Sequence, residues 1–342
     1  MLEVHGRRVT NPATLSPIEI LEFCEKHGQL VVQFSSPEAY NPTILGLLND
    51  ACRVAQDRLQ VRFYGHYGTQ FDAAFLRHVS EARDLAVDCL SEIIHEDEVG
   101  RLPKLKRLSF GVFGLDRPDF LNTIELGQLE RLVLIENRKR NIDLAPLARC
   151  GSLSELFVNG HSKGIAAIAS LHRLQKLTLS AYAKAHPLEF IAAIPTLKNL
   201  TLILGGRTDV DDLSSATIET LQILRVRGVA TLGDLSRLPA LSALRIEDQL
   251  QLARLDLTGA RLERLSLFNC KNLAELPGLE MQDRLREFRA SQVALDLNIL
   301  RDRDWPPNTR TVGLFSGSRK WNDDANARLT ARGLGKKGDL WP

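Results

Sequence analysis

The side chains of this sequence that could do chemistry are scattered. Eight histidines stand at positions 5, 27, 66, 78, 95, 161, 172 and 186, and no two share the spacing of a metal-ligand pair. There is no glycine-rich phosphate loop, no G-x-S-x-G elbow and no H-E-x-x-H run. His66 and His78 flank Tyr64 and Tyr67, a grouping expected of surface histidines beside a loop. Asp209-Val210-Asp211-Asp212 has the carboxylate density of a calcium loop but lacks its glycine turn and distal glutamate. A solvated loop with a helix-capping aspartate is expected there instead. The five cysteines, at 24, 52, 89, 150 and 270, are odd in number and never form C-x-x-C. They read as small buried hydrophobes in a reducing compartment, not as a disulfide framework. The sequence thus predicts no catalytic residue, no metal site and no cofactor.

What scaffold the chain builds is a better-posed question. At 342 residues it exceeds what one hydrophobic core ordinarily supports, so two domains or a repeat array is expected. Hydrophobic residues make up 44% and charged residues 25%, which excludes global disorder. A formal net charge of +2 gives no global attraction for nucleic acid or an anionic membrane. The opening residues hold no apolar run of signal-peptide length, and no stretch approaches the roughly 18 apolar residues of a membrane span. A cytoplasmic location is therefore expected.

Internal periodicity settles the architecture. The pattern L-x-x-L-x-L recurs as Leu105-Leu108-Phe110, Leu129-Leu132-Leu134, Leu153-Leu156-Val158, Leu174-Leu177-Leu179 and Leu197-Leu200-Leu202. It continues as Leu221-Leu224-Val226, Leu241-Leu244-Ile246, Leu262-Leu265-Leu267, Leu285-Phe288-Ala290 and Thr309-Val312-Leu314, and Ala82-Leu85-Val87 precedes it in the same frame. The mean period is about 23 residues, a length that makes one strand and one return segment. The last two apolar residues of each motif share one face of a strand, because side chains alternate with period two. One short strand cannot bury that face alone, so each repeat must stack on the next in a parallel sheet with a continuous core. Return segments must also contribute, as Ile142, Leu144 and Leu147 do before Leu153.

Leu262-Glu-Arg-Leu265-Ser-Leu267-Phe-Asn-Cys270-Lys-Asn-Leu273-Ala-Glu-Leu276-Pro277 carries the pattern of the leucine-rich-repeat superfamily, with Cys at the turn position, and the chain resembles that superfamily over about 82–316. Leu129–Asn137 matches with Asn at that position. Asn141-Ile-Asp-Leu-Ala-Pro-Leu-Ala148, with Leu153 and Leu156, resembles bacterial internalin-type repeats. The resemblance implies an α/β leucine-rich-repeat solenoid, a curved parallel sheet in a horseshoe. Phe113, His161, Tyr182, Gly205, Val229 and Gln249 replace the usual turn residue elsewhere, which predicts irregular loops.

Residues 1–81 follow a longer rhythm and are expected to form a helix-rich α/β cap of longer repeats. Ser16-Pro17-Ile18-Glu19 is a capping box that opens a helix near 17–27, ahead of a strand at 30–34. Asn41-Pro42 opens a second helix, followed by a strand at 59–63 and a third helical stretch at 73–79. An independent N-terminal domain is the alternative. Leu252-Leu255-Leu257 fits the strand motif too soon after Leu241 for another repeat, so it is assigned to the convex return segment. Residues 317–342 are expected to form a C-terminal cap and a mobile tail.

In such an array, residues that alternate with the inward pair face the concave groove. Arg131, Val133, Ile135, Glu155 and Phe157 form one expected patch, where neighbouring apolar side chains point out of their strands. Arg225, Arg227, Arg245, Arg264 and Arg289 form a second, a basic stripe relieved by Glu247 and Glu287. Together they predict a non-enzymatic module that holds a protein partner, acidic by complementarity with the stripe. The resemblance implies a scaffold, a toxin inhibitor or immunity protein, or an effector. The alternatives are an enzyme centred on the N-terminal region and a nucleic-acid binder using the arginines, the latter opposed by the absence of interleaved aromatics.

Overall fold

Alternation along each strand predicts two buried residues with a more exposed one between them, and most strands are built that way, although Gln33, Ala86 and Gln222 are buried between their inward neighbours. The computed structural model describes residues 3–335 and 338, and the chain divides into two compact units, Met1–Arg173 and Leu174–Pro342.

The first unit holds strands β1 (Arg8–Thr10), β2 (Leu30–Phe34), β3 (Leu59–Tyr64), β4 (Asp84–Leu90), β5 (Arg107–Val112), β6 (Arg131–Leu134) and β7 (Glu155–Asn159). Neighbours pair in parallel and in sequence order. Two inward columns result. One runs Val9, Val32, Val61, Leu85, Leu108, Leu132, Leu156; the other runs Phe34, Phe63, Val87, Phe110, Leu134, Val158, and all are buried. Strand β1 carries no leucine signature and was not foreseen. The capping box behaves as expected: Ser16 Oγ accepts from the Glu19 N–H at 3.3 Å and starts α1 (Pro17–His27). Asn41 Oδ1 accepts from the Ile44 N–H at 3.0 Å and starts α2 (Pro42–Ala55). Residues Ala73–Val79 form a 3₁₀ helix. Strands β2 and β3, from the expected cap, lie in the same sheet as β4.

The second unit repeats the plan with β8 (Lys176–Ser180), β9 (Asn199–Ile203), β10 (Thr220–Leu224), β11 (Ala243–Glu247), β12 (Arg264–Phe268), β13 (Glu287–Ser291) and β14 (Thr311–Phe315), again parallel and sequential. Its inward columns are Leu177, Leu200, Leu221, Leu244, Leu265, Phe288, Val312 and Leu179, Leu202, Ile223, Ile246, Leu267, Ala290, Leu314, all buried. Both units are leucine-rich-repeat solenoids. Leu252, Leu255 and Leu257 are buried in the return segment between β11 and β12, as expected. The helix Arg319–Ala331 follows β14, and the Val312 N–H donates to Leu334 O at 2.9 Å. Lys336, Lys337, Trp341 and Pro342 of the expected tail lie outside the described residues. No helix is long and apolar enough to cross a membrane among the described residues.

One repeat departs from the expected register. The strand near 224–226 is instead Thr220–Leu224, so Leu221 and Ile223 point inward, with Ile218 as the buried residue before them. Two frames fit this stretch because Ile218-Leu221-Ile223 and Leu221-Leu224-Val226 have the same spacing. Pairing of Leu221 with both Leu200 and Leu244 selects the first. Arg225 and Arg227 therefore lie past the strand end, not on its face.

The loops are also more regular than expected. The residue after each strand from β7 to β13 is left-handed: Gly160, Ala181, Leu204, Arg225, Asp248, Asn269 and Gln292. Unlike side chains at the turn position do the same work of bonding backbone. His161 Nδ1 accepts from the Ile142 N–H at 3.2 Å, and its Nε2 lies 3.1 Å from Ile135 O. Tyr182 donates to Pro187 O at 3.0 Å, and Gln249 Nε2 to Glu247 O at 2.8 Å. Asn137 Oδ1 accepts from the Lys139 and Arg140 N–H groups at 3.2 and 3.0 Å.

Candidate functional site

Several of the titratable groups singled out in the sequence bond within the protein. His66, expected at the surface, is buried: its Nε2 lies 3.1 Å from Tyr40 Oη and its Nδ1 2.9 Å from Tyr64 O. Burial holds the pKa of His66 and of His161 below the ordinary histidine value. The 209–212 aspartates cap no helix. Asp209 takes Lys184 Nζ at 2.6 Å and the Thr208 hydroxyl at 2.7 Å, which pulls its pKa down to about 2. Asp212 takes Arg207 Nη2 at 2.5 Å and the Leu188 N–H at 2.9 Å. Of the cysteines, 24, 52, 150 and 270 are buried, whereas Cys89 is exposed. No cluster of three metal-ligating side chains occurs among the described residues.

Two rows run along the outward strand face of the first unit. The first is Arg8, Val31, Gln60, Asp84, Arg107, Arg131, Glu155; the second is Thr10, Gln33, Arg62, Ala86, Ser109, Val133, Phe157. Most of the first row is polar and internally satisfied. Asp84 is 2% exposed and accepts from Gln60 Nε2 and Arg107 Nε, both at 2.8 Å. Burial nonetheless raises its carboxyl pKa. Arg131 Nε pairs with Glu155 Oε1 at 3.0 Å, so two expected partner-binding residues bind each other.

Beside them Val133 and Phe157 sit opposite one another in register and half-buried. Ile135, just past β6, spreads over Gly111 of β5: a Cβ on Gly111 would fall 2.8 Å from Ile135 Cβ. Phe113, two residues beyond Gly111, is 36% exposed and carries the Arg138 guanidinium 5.0 Å above its ring. The structure thus gathers Val133, Ile135 and Phe157 as expected. It adds Phe113 and Arg138, which follow their strands and carry no periodic signal.

In the second unit the arginines do not form one row. Arg245 and Arg289 share the middle row with Ser266 between them, and Arg264 lies in the neighbouring row between Ala243 and Glu287. Three are paired with carboxylates: Arg245 with Glu247 at 2.8 Å, Arg289 with Glu287 at 2.6 Å and Arg225 with Asp248 at 3.1 Å. Arg227 Nε reaches Gly205 O at 3.4 Å. Apolar side chains missed in the sequence stand in the third row: Ile203 beside Leu224, then Phe268 between Glu247 and Ser291, and Phe315 beyond Ser291. Alternation would have found Ile203, Phe268 and Phe315; the wrong register hid Leu224.

The sequence matches no family model and no curated protein. Among solved structures, the chain is similar to an internalin (inlF) from Listeria monocytogenes, at 16% identity and TM-score 0.45, covering 90% of this chain and 86% of that one. It is similar to a chain of the Toll–Spatzle complex from Drosophila at 13% identity and TM-score 0.45, over 89% of this chain and 49% of that one. Internalin C2 from Listeria monocytogenes gives 16% identity and TM-score 0.25, over 71% and 83%. The strand registers, not these likenesses, establish the fold.

Proposed function

We propose that this chain is a non-enzymatic protein-binding module that works in the cytoplasm and holds its partner on the exposed strand face. The observation that carries this reading is the apolar patch of Val133, Ile135 and Phe157. These side chains stand outward from strands whose neighbouring polar groups are already satisfied by one another. Half-buried apolar groups set side by side supply the desolvated anchors of an interface, and the paired Arg131 and Glu155 supply its polar rim. The expected arginines of the second unit orient a partner less strongly than their number suggests, since Arg225, Arg245 and Arg289 already hold carboxylates.

A photo-crosslinking residue placed at 157 or 133 tests the reading in the organism that makes the protein. Crosslinks to a common protein from both positions, and none from position 254 on the return segment, are expected. Crosslinks from 254 with silence at 157 and 133 would move the site off this face.

A further inference from the structure

We infer that the partner segment is acidic, and that the loop Glu136–Arg140, not the arginines of the second unit, reads its charge. The inference rests on the apolar patch being a binding site and adds the chemistry of what binds there. The loop leaves β6 directly after Ile135 and carries Arg138, Lys139 and Arg140, all exposed. Its backbone is fixed: Asn137 Oδ1 accepts from the N–H groups of Lys139 and Arg140, and the Arg138 N–H donates to Phe113 O at 2.8 Å. The side chains are consequently presented by an ordered turn.

The pairing of Arg138 and Lys139 differs from that of the stripe arginines Arg225, Arg245 and Arg289, which hold carboxylates. Arg140 meets Asp116 at 3.1 Å. Arg138 rests on the Phe113 ring, and neither it nor Lys139 has a carboxylate partner among the described residues. The one acid in the loop, Glu136, packs over Gly160, where a Cβ would fall 2.9 Å from its Cγ. Two unneutralised cations therefore border an apolar patch made by Val133, Ile135, Phe157 and Phe113. The complementary ligand is a protein segment with a bulky apolar anchor flanked by carboxylates. Nucleic acid fits less well, because the Phe113 ring is already covered by Arg138, Val133 and Ile135 offer no stacking face, and the net charge is only +2.

The test uses the full chain and fluorescence anisotropy with labelled probes. One probe is a short peptide with a central Leu-Trp-Leu flanked by glutamates; others carry lysines for the glutamates, or serines for the apolar centre. The glutamate–apolar peptide should bind, weaken as salt rises, and lose at least about tenfold in affinity with Arg138→Glu plus Lys139→Glu. The lysine and serine peptides should bind at least about tenfold more weakly. Arg138→Ala plus Lys139→Ala, checked for an unchanged melting temperature, should give an intermediate loss and separates charge from damage to the loop. Equal binding of the glutamate and lysine peptides, no binding of the glutamate peptide, or stronger competition by single-stranded oligouridylate would overturn the inference. If Phe157→Ala weakens the glutamate peptide while both loop variants bind it normally, the face remains a binding site and the acidic partner is wrong.

Discussion

The register of β10 can be tested with a pair of truncations. Leu221 is fully buried and stands between Leu200 and Leu244 in the sheet, whereas Leu224 faces outward and is half-exposed. Leu221→Ala removes three buried carbons, worth about 0.8 kcal/mol each, and leaves a cavity between two leucines that cannot close on it. The expected cost is about 2–5 kcal/mol. For a unit of this size that lowers its melting temperature by roughly 4–20 °C. Leu224→Ala exposes no cavity and removes surface already half in water, so it should cost on the order of 1 kcal/mol or less. Urea unfolding, followed by far-ultraviolet circular dichroism, measures both against the wild type. The two units need not unfold together, so the comparison uses the transition that Leu200→Ala also shifts. Equal costs, or a larger cost at Leu224, would restore the frame in which Leu224 and Val226 point inward and return Arg225 and Arg227 to the strand face.

Other consequences concern turns, caps and pH. Gly278 has φ +80°, and a Cβ there would fall 2.5 Å from the Thr258 backbone nitrogen, so Gly278→Ala should cost at least about 1–2 kcal/mol in urea unfolding; a neutral result would show that the adjoining return segments can separate. Asn41→Ala removes the acceptor that starts α2 and should cost about 1 kcal/mol, with no loss in the serine replacement. His66 and His161 have lowered folded-state pKa values, so the unfolded chain takes up protons first as pH falls below the ordinary histidine value. Their contribution to stability should decline from about pH 6.5 downward until the folded-state values are passed. The urea midpoint should drop over that interval, and His161→Gln should flatten the drop; an unchanged slope would show that His161 does not titrate with unfolding.

The fold was legible because its cause is local. Two apolar residues two apart, repeated at a steady interval, can be buried only by stacking, and β8, β9, β11 and β12 stand where that rule puts them. It failed at β10 because isoleucine does the work of leucine at 218 and 223, so two frames satisfied the same spacing. It also missed β1, whose only inward residue is Val9. The turn position was misjudged for a related reason. His161, Tyr182 and Gln249 share no chemical type with asparagine, yet each offers a group that bonds loop backbone.

The candidate site divides along the same line. Val133 and Phe157 could be paired from sequence because register follows from the repeat, and the structure sets them opposite one another. Charge could not be read that way. A cation on a strand face contributes to recognition only if its own neighbours leave it unneutralised, and those neighbours include residues past the strand end. Asp248 after β11 neutralises Arg225, and Glu247 and Glu287 do the same for Arg245 and Arg289. Two cations without a carboxylate partner among the described residues, Arg138 and Lys139, are in a loop with no periodicity, where Asn137 fixes the backbone and Phe113 supports Arg138 from the turn after β5. Counting arginines therefore points to the second unit, whereas asking which cations without a carboxylate border the apolar patch points to residues 138 and 139.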